Sequence, residues 1–160
     1  MKILVISDSH GNNLYLNRAI EQAGTFDYFL HLGDLEGSEH FIETFVDVPK
    51  VMIAGNNDYY IDAEPEAEVD LDGHHIFMAH GHQYHVYTGV EYLREEAQRR
   101  GADIVLYGHT HVPYMEQTED MLILNPGSIS LPRQTERIPT YAMIELKEDG
   151  TVEAALYEVK

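Results

Sequence analysis

The sequence predicts an α/β protein made of two packed mixed β-sheets flanked by helices. Three observations carry that expectation. The first third alternates short apolar runs with amphipathic segments, in the order strand, helix, strand, helix, strand, which implies a parallel sheet with right-handed crossovers. The back half is rich in short β-prone runs bounded by turn signals, which implies a strand-rich and largely antiparallel second part. Five of the runs end in a polar tip carrying Asp, Asn or His. In open α/β sheets ligands bind outside the carboxyl ends of the strands.

In chain order, Ile3, Leu4, Val5 and Ile6 form a continuous apolar run closed by Gly11, the pattern of a buried strand. Leu14, Leu16, Ala19, Ile20 and Ala23 then make a helical stripe, with Gly24 just past its end. Residues 26–32 read as a second strand. A helix is expected over 38–45, with Ser38 as its cap, Phe41, Ile42 and Phe45 inward, and Pro49 as its stop. Residues 51–54 read as a third strand. From 62 to 72 acidic and apolar residues alternate, a strand with an acidic, solvated face, and Pro65 places it at a sheet edge. Asp72-Gly73 is a hairpin signal before a strand over 75–79. Thr88 is positioned to cap a helix over 90–100 that Gly101 closes. Further strands are expected over 104–107, 114–117 and 121–124, then a tight turn over 125–128. The hairpin of 140–146 and 152–159 turns over Glu148-Asp149-Gly150.

Composition narrows the function classes. The net charge of -18 argues against a long nucleic acid or an anionic membrane surface as partner. With no cysteine there are no disulfides and no thiolate ligands, which suits the cytoplasm, so a metal site must use oxygen and imidazole. No apolar run approaches the roughly 18 residues of a membrane span, and the first residues lack a signal-peptide layout. No repeat, linker or low-complexity block divides the chain, so one domain over 1–160 is expected.

The tips carry the chemistry. They are Asp8-Ser9-His10, Gly33-Asp34, Gly55-Asn56-Asn57-Asp58, His80-Gly81-His82 and Gly108-His109-Thr110-His111. Alone, Asp8 reads better as a cap for the helix that follows than as a metal ligand. The recurrence of the same grammar turns the reading toward metal. Carboxylate, amide oxygen and imidazole are ligands for hard-to-borderline cations, and glycines beside them let the backbone turn sharply. Asp8, His10, Asp34, Asn56, His80, His109 and His111 suffice for two ions if the Asp34 carboxylate bridges them.

These five motifs, in this order, resemble the calcineurin-like metallophosphoesterase superfamily, and within it the small single-domain bacterial and archaeal phosphodiesterases. The resemblance covers nearly the whole chain. It implies the α/β/β/α sandwich of that family. It also implies a first metal held by Asp8, His10, Asp34 and His111 and a second held by Asp34, Asn56, His80 and His109. Relatives place water or hydroxide between two such ions, usually manganese, iron, zinc or nickel, and hydrolyse small phosphate esters. A phosphodiesterase is therefore the expected activity. A phosphomonoesterase, including one acting on phosphoproteins, is the alternative, as is a non-catalytic scaffold like the retromer subunit that shares this fold. Relatives are often homodimers.

The chain departs from the family at the third tip. Many relatives have Gly-Asn-His-Glu or Gly-Asn-His-Asp there, whose His protonates the leaving oxygen. Here Asn57 and Asp58 stand at that catalytic position. An amide cannot act as an acid but can donate a hydrogen bond to a phosphoryl oxygen. Diesters, or esters with good leaving groups, are the expected substrates, with Asp58 either replacing the acid or orienting Asn57. The turn at Asn125 to Ser128 resembles the family's last motif. It is expected to brace the metal loops, with Asn125 or Ser128 also touching phosphate, and Arg133 is a candidate phosphate clamp against the plain reading of a surface Arg. His82 would support His80 or face substrate. His31, His40, His74 and His75 read as ordinary surface or strand residues, His85 is unassigned, and Tyr59, Tyr60, Tyr84 and Tyr87 flank the tips.

Overall fold

The computed structural model describes all residues, Met1–Lys160. Strands β1 (Lys2–Ile6), β2 (Tyr28–His31) and β3 (Lys50–Met52) run parallel, joined by helices α1 (Asn13–Ala23) and α2 (Ser38–Phe45). The register pairs Val5 with Leu30 and Leu30 with Val51, so the three strands end level with one another. Strands β9 (Thr140–Leu146) and β10 (Val152–Glu158) complete the sheet as an antiparallel hairpin on the free side of β1, in the order β10-β9-β1-β2-β3.

The second sheet has the order β4-β5-β6-β8-β7, from β4 (Glu66–Leu71), β5 (His74–Ala79), β6 (Ile104–Leu106), β7 (Tyr114–Gln117) and β8 (Leu122–Asn125). Strands β5, β6 and β8 are parallel, and α3 (Glu91–Arg100) crosses from β5 to β6.

Three apolar layers hold the molecule together. The middle one lies between the sheets, where Val5, Leu30 and Ile144 meet Met78, Leu106 and Leu124. Leu16, Ala19 and Ile42 cover the outer face of the first sheet, and Leu93 and Ala97 that of the second. Both sheets are thus buried on two faces, which is why their central strands read as unbroken apolar runs. Removing one such side chain, as in Phe29→Ala, costs about 3–5 kcal/mol.

The expected elements are all present, with local differences. Phe45 lies outward and 64% exposed, its ring tilted against that of Phe41 with centroids 4.8 Å apart; Val46, the next residue, takes the inward place. Gly37, with φ 106°, caps α2, and Ser38 is already helical. That helix ends at Phe45, with Val46 as its C-cap, before Pro49. Thr88 sits in a 3-10 turn with its hydroxyl donating to the His85 carbonyl at 2.9 Å, and Val90 is the residue preceding α3. Strand β4 is an edge, as Pro65 implied, but its acidic face is not merely solvated. Arg100 bonds Glu66 and Glu68, and His75 bonds Glu68 and Asp70. No helix is long and apolar enough to cross a membrane.

Candidate metal centre

The loops after β1, β2, β3, β5 and β6 converge on one edge of the two sheets. Main-chain bonds lace them together: Asp8 N donates to Gly33 O at 3.0 Å, His10 N to Asp34 O at 2.9 Å, and Gly108 N to His80 O at 2.9 Å. Asp8, His10, Asp34, His109 and His111 all have positive φ, between 45° and 68°. Such a conformation is uncommon outside glycine, and clusters of it mark sites where surrounding structure holds strained backbone for a purpose. The approach is close enough to require glycine. A Cβ on Gly55 would stand 2.2 Å from Asp34 Oδ1, and one on Gly108 would stand 2.0 Å from Ser7 Oγ.

Asp8, His10, Asp34 and His111 each present a ligand atom, all within 4.8 Å of one another. His10 Nε2 and His111 Nε2 are 3.2 Å apart, and His111 Nε2 is 3.1 Å from Asp8 Oδ1. His80 Nε2 lies 3.5 Å from Asp34 Oδ2 and 3.8 Å from Asp8 Oδ1. His109 packs edge-on against His80, with ring centroids 5.1 Å apart.

The hydrogen-bond accounting is selective. Nδ1 of His80 donates to Leu32 O at 2.7 Å, Nδ1 of His111 donates to Leu131 O at 2.7 Å, and Nδ1 of His10 is bonded to the Glu36 carboxylate. Committing Nδ1–H outward fixes the tautomer and leaves the Nε2 lone pair facing in. Asp8 Oδ2 accepts from Ser7 Oγ at 2.6 Å and from His109 N at 3.1 Å, while Asp8 Oδ1 has no hydrogen-bond partner. His80 Nε2 and Asn56 Oδ1 are likewise buried and unpartnered. Buried polar atoms are normally satisfied, and orphaned Lewis bases on three of the converging loops are complementary to cations. The residues present therefore fit divalent metal.

Charge states agree with that fit. Burial alone would raise the Asp8 and Asp34 carboxyls. For Asp8 the neighbouring His111 and His80 overcome it, for Asp34 His80 and the two Asn57 donors do, and both groups lie below their ordinary value. Burial and the nearby His80 push His109 down to about 4, so its imidazole is neutral at pH 7 and free to ligate.

The third tip differs from its expected role in detail. Asn57 is turned onto Asp34, with N donating to Oδ1 at 2.9 Å and Nδ2 to Oδ2 at 2.8 Å. The Asp58 carboxylate accepts from the main chain of Leu35, Glu36 and Gly55 at 2.8–3.1 Å and so ties the second loop to the third. Ser128, expected to brace the metal loops and also to touch phosphate, has its hydroxyl engaged within the protein. It is 0% exposed, its hydroxyl donates to Asp8 O at 2.8 Å, and Leu131 N and Ser130 N donate to it. Buried Asn125 likewise bonds Gly108 O and Thr110. The turn is a brace. Arg133 stands at the rim, its N donating to His111 O at 3.0 Å and its guanidinium to the Tyr87 hydroxyl at 2.8 Å. His82 leans toward His80 and His109, with a buried, unpartnered Nδ1. His31, a strand residue, is fully buried beneath the site against Ser9. Sequence reasoning missed Glu36 and Ser7, the partners of His10 and Asp8. Ser7 directly precedes Asp8 and was findable as a local donor; an isolated Glu36 gave no signal.

The probable metallophosphoesterase YsnB of Bacillus subtilis is 32% identical over 153 residues, covering 94% of this chain and 87% of YsnB. The phosphodiesterase YfcE of Escherichia coli is 30% identical over 158 residues, covering 83% and 82%. Among solved structures, a conserved Streptococcus pneumoniae protein, itself a predicted phosphoesterase, superposes with a TM-score of 0.77 at 30% identity over 98% of this chain and 97% of its own. Entamoeba histolytica Vps29, solved with zinc, shares the fold with a TM-score of 0.75 at 21% identity over the full length of both. The model of the calcineurin-like phosphoesterase superfamily domain matches residues 1–149, and the chain belongs to that superfamily.

Proposed function

We propose that this single domain is a phosphodiesterase that works with two divalent cations. The observation that carries the reading is the set of buried, unpartnered Lewis bases, Asp8 Oδ1, His80 Nε2 and Asn56 Oδ1, on loops that converge at one edge, with His80 Nε2 3.5 Å from Asp34 Oδ2. In this reading Asp8, His10, Asp34 and His111 hold one ion, and Asp34, Asn56, His80 and His109 hold the other. Manganese is the first choice, with nickel, iron or zinc also suited to this donor set. Two such ions supply Lewis acidity toward phosphoryl oxygens and water of lowered pKa.

The chain's own residues do the rest. Glu36 and the carbonyls of Leu32 and Leu131 aim the imidazoles. Asn57 holds Asp34 and contributes hydrogen-bond donors but no proton. Asp58, engaged by three main-chain donors, positions the loops and is not free to act as the acid. Hydrolysis adds one water across a P–O bond and releases an alcohol or phenol and a monoester. Without an imidazole at position 57, leaving groups that need little protonation are favoured.

The test is release of p-nitrophenol from bis-p-nitrophenyl phosphate by chelator-stripped protein after manganese or nickel is restored. Activity should return with metal and collapse in Asp34→Ala and His80→Ala. Full activity in Asp34→Ala would contradict the mechanism. Diester hydrolysis no faster than p-nitrophenyl phosphate hydrolysis would favour the monoesterase. Absence of both hydrolysis and bound metal would favour a scaffold.

A further inference from the structure

Arg133 and Tyr87 form a unit that the metal ligands do not require. Both are anchored to the same loop. Arg133 N donates to His111 O at 3.0 Å, and the Tyr87 hydroxyl donates to His109 O at 3.3 Å. The Tyr87 ring stands edge-on to His109, with centroids 4.9 Å apart, and the residue is 62% exposed. The Tyr87 oxygen also accepts from Arg133 Nη1 at 2.8 Å. The guanidinium is therefore fixed at its root by His111 and at its tip by a phenol, beside two residues of the metal loops.

Charge makes the arrangement informative. Of the ten lysines and arginines in this acidic chain, Arg94, Arg99, Arg100 and Lys147 are paired with a carboxylate, and Arg133 is one of the six that are not. Arg133 is held instead by a neutral hydroxyl. Its positive charge is thus uncompensated by protein, and most of its donors remain available. A planar guanidinium matches the oxygens of a phosphoryl group, and one held in place before binding loses less freedom when the anion arrives.

We infer that Tyr87 is the positioning residue for Arg133, and that the pair is the arm that holds a non-reacting anionic oxygen of the phosphate ester. This rests on the phosphoesterase reading above and deepens it. The phenol keeps the guanidinium over the His109 side of the site, and without it the side chain is free to swing into solvent.

The test uses manganese-loaded protein as wild type, Tyr87→Phe, Arg133→Ala and the double variant. Two readouts are taken: KM and kcat for bis-p-nitrophenyl phosphate, and Kd for inorganic phosphate by calorimetry. Arg133→Ala should raise KM and Kd about tenfold or more, the loss of a charge-assisted hydrogen bond. Tyr87→Phe keeps the ring and should raise both roughly three- to fivefold, with kcat and metal content little changed. In the Arg133→Ala background, Tyr87→Phe should add nothing, because a group that acts through another has no effect once that other is gone. Wild-type KM and Kd in either single variant would overturn the proposal. So would an undiminished Tyr87→Phe effect without Arg133, or loss of metal in Tyr87→Phe, which would mark a purely structural contact. The two readings fail separately. Phosphate binding weakened by the variants in a protein that hydrolyses nothing keeps the arm and sinks the hydrolase. Hydrolysis that the variants leave untouched sinks the arm alone. A wild type that neither hydrolyses the diester nor binds phosphate sinks both.

Discussion

The Glu36 carboxylate grips Nδ1 of His10, the nitrogen that points away from the cluster of Asp8, Asp34 and His111. His10 is thereby held as the tautomer whose Nε2 lone pair faces the other candidate ligands. Both residues have positive φ, His10 at 45° and Glu36 at 45°, so each loop is bent to make the meeting. Partners of this kind usually matter to metal affinity by about 10–100-fold. Glu36→Gln should therefore weaken manganese binding within that range, read by competition with a chelator. Glu36 is exposed, so its thermal unfolding should change little. Unaltered affinity would remove Glu36 from the site.

Asp58 separates two roles by experiment. If it braces the loops, Asp58→Ala leaves the N–H groups of Leu35, Glu36 and Gly55 without their acceptor. The expected cost is on the order of 2–3 kcal/mol in chemical denaturation. The folded fraction, assayed cold and with saturating manganese, should still cleave an ester with a nitrophenol leaving group. Unchanged stability together with lost cleavage would make Asp58 the acid after all.

His31 predicts acid sensitivity. Burial pushes its imidazole down to about 4, although the nearby carboxylates of Asp8, Asp58 and Asp34 oppose it. Geometry gives the same direction: Gly33 N donates to Nδ1 at 3.2 Å, so a proton on that nitrogen would face another donor. In the unfolded chain His31 titrates at about 6.5. As pH falls through that value the unfolded state gains a proton that the folded state refuses, so stability declines until pH reaches about 4. The contribution lost is on the order of 2–3 kcal/mol. His31→Gln removes the titrating group, so its unfolding free energy should fall less than that of wild type across this window. Parallel pH profiles for the two proteins would show that His31 is not the group responsible.

The strand ends were readable because a strand buried on both faces leaves an unbroken apolar run, and the switch to Asp, Asn or His marks where it emerges. That logic located Asp8, Asp34, Asn56, His80 and His109 on one edge. The orientation of those side chains was not readable. It depends on left-handed backbone at Asp8, His10, Asp34, His109 and His111, which residue type does not announce. Glu36 was invisible because only the folded turn after Asp34 brings it to His10. Phe45 misled for a simpler reason. It fits the helical period, but the helix ends there, and the next apolar residue, Val46, reaches the core instead. Ser128 carries the family's turn, yet its hydroxyl is already engaged with Asp8 O, Ser130 N and Leu131 N.

The central claim is that side chains from position 8 to position 111 enclose a pair of cations that share Asp34. Elemental analysis of manganese-loaded, desalted protein tests it most directly. The account predicts about two ions per chain in the wild type, and clear loss of both in Asp34→Ala, whose carboxylate serves each. A wild-type ratio near zero, or an Asp34→Ala protein that still carries two ions, would contradict it.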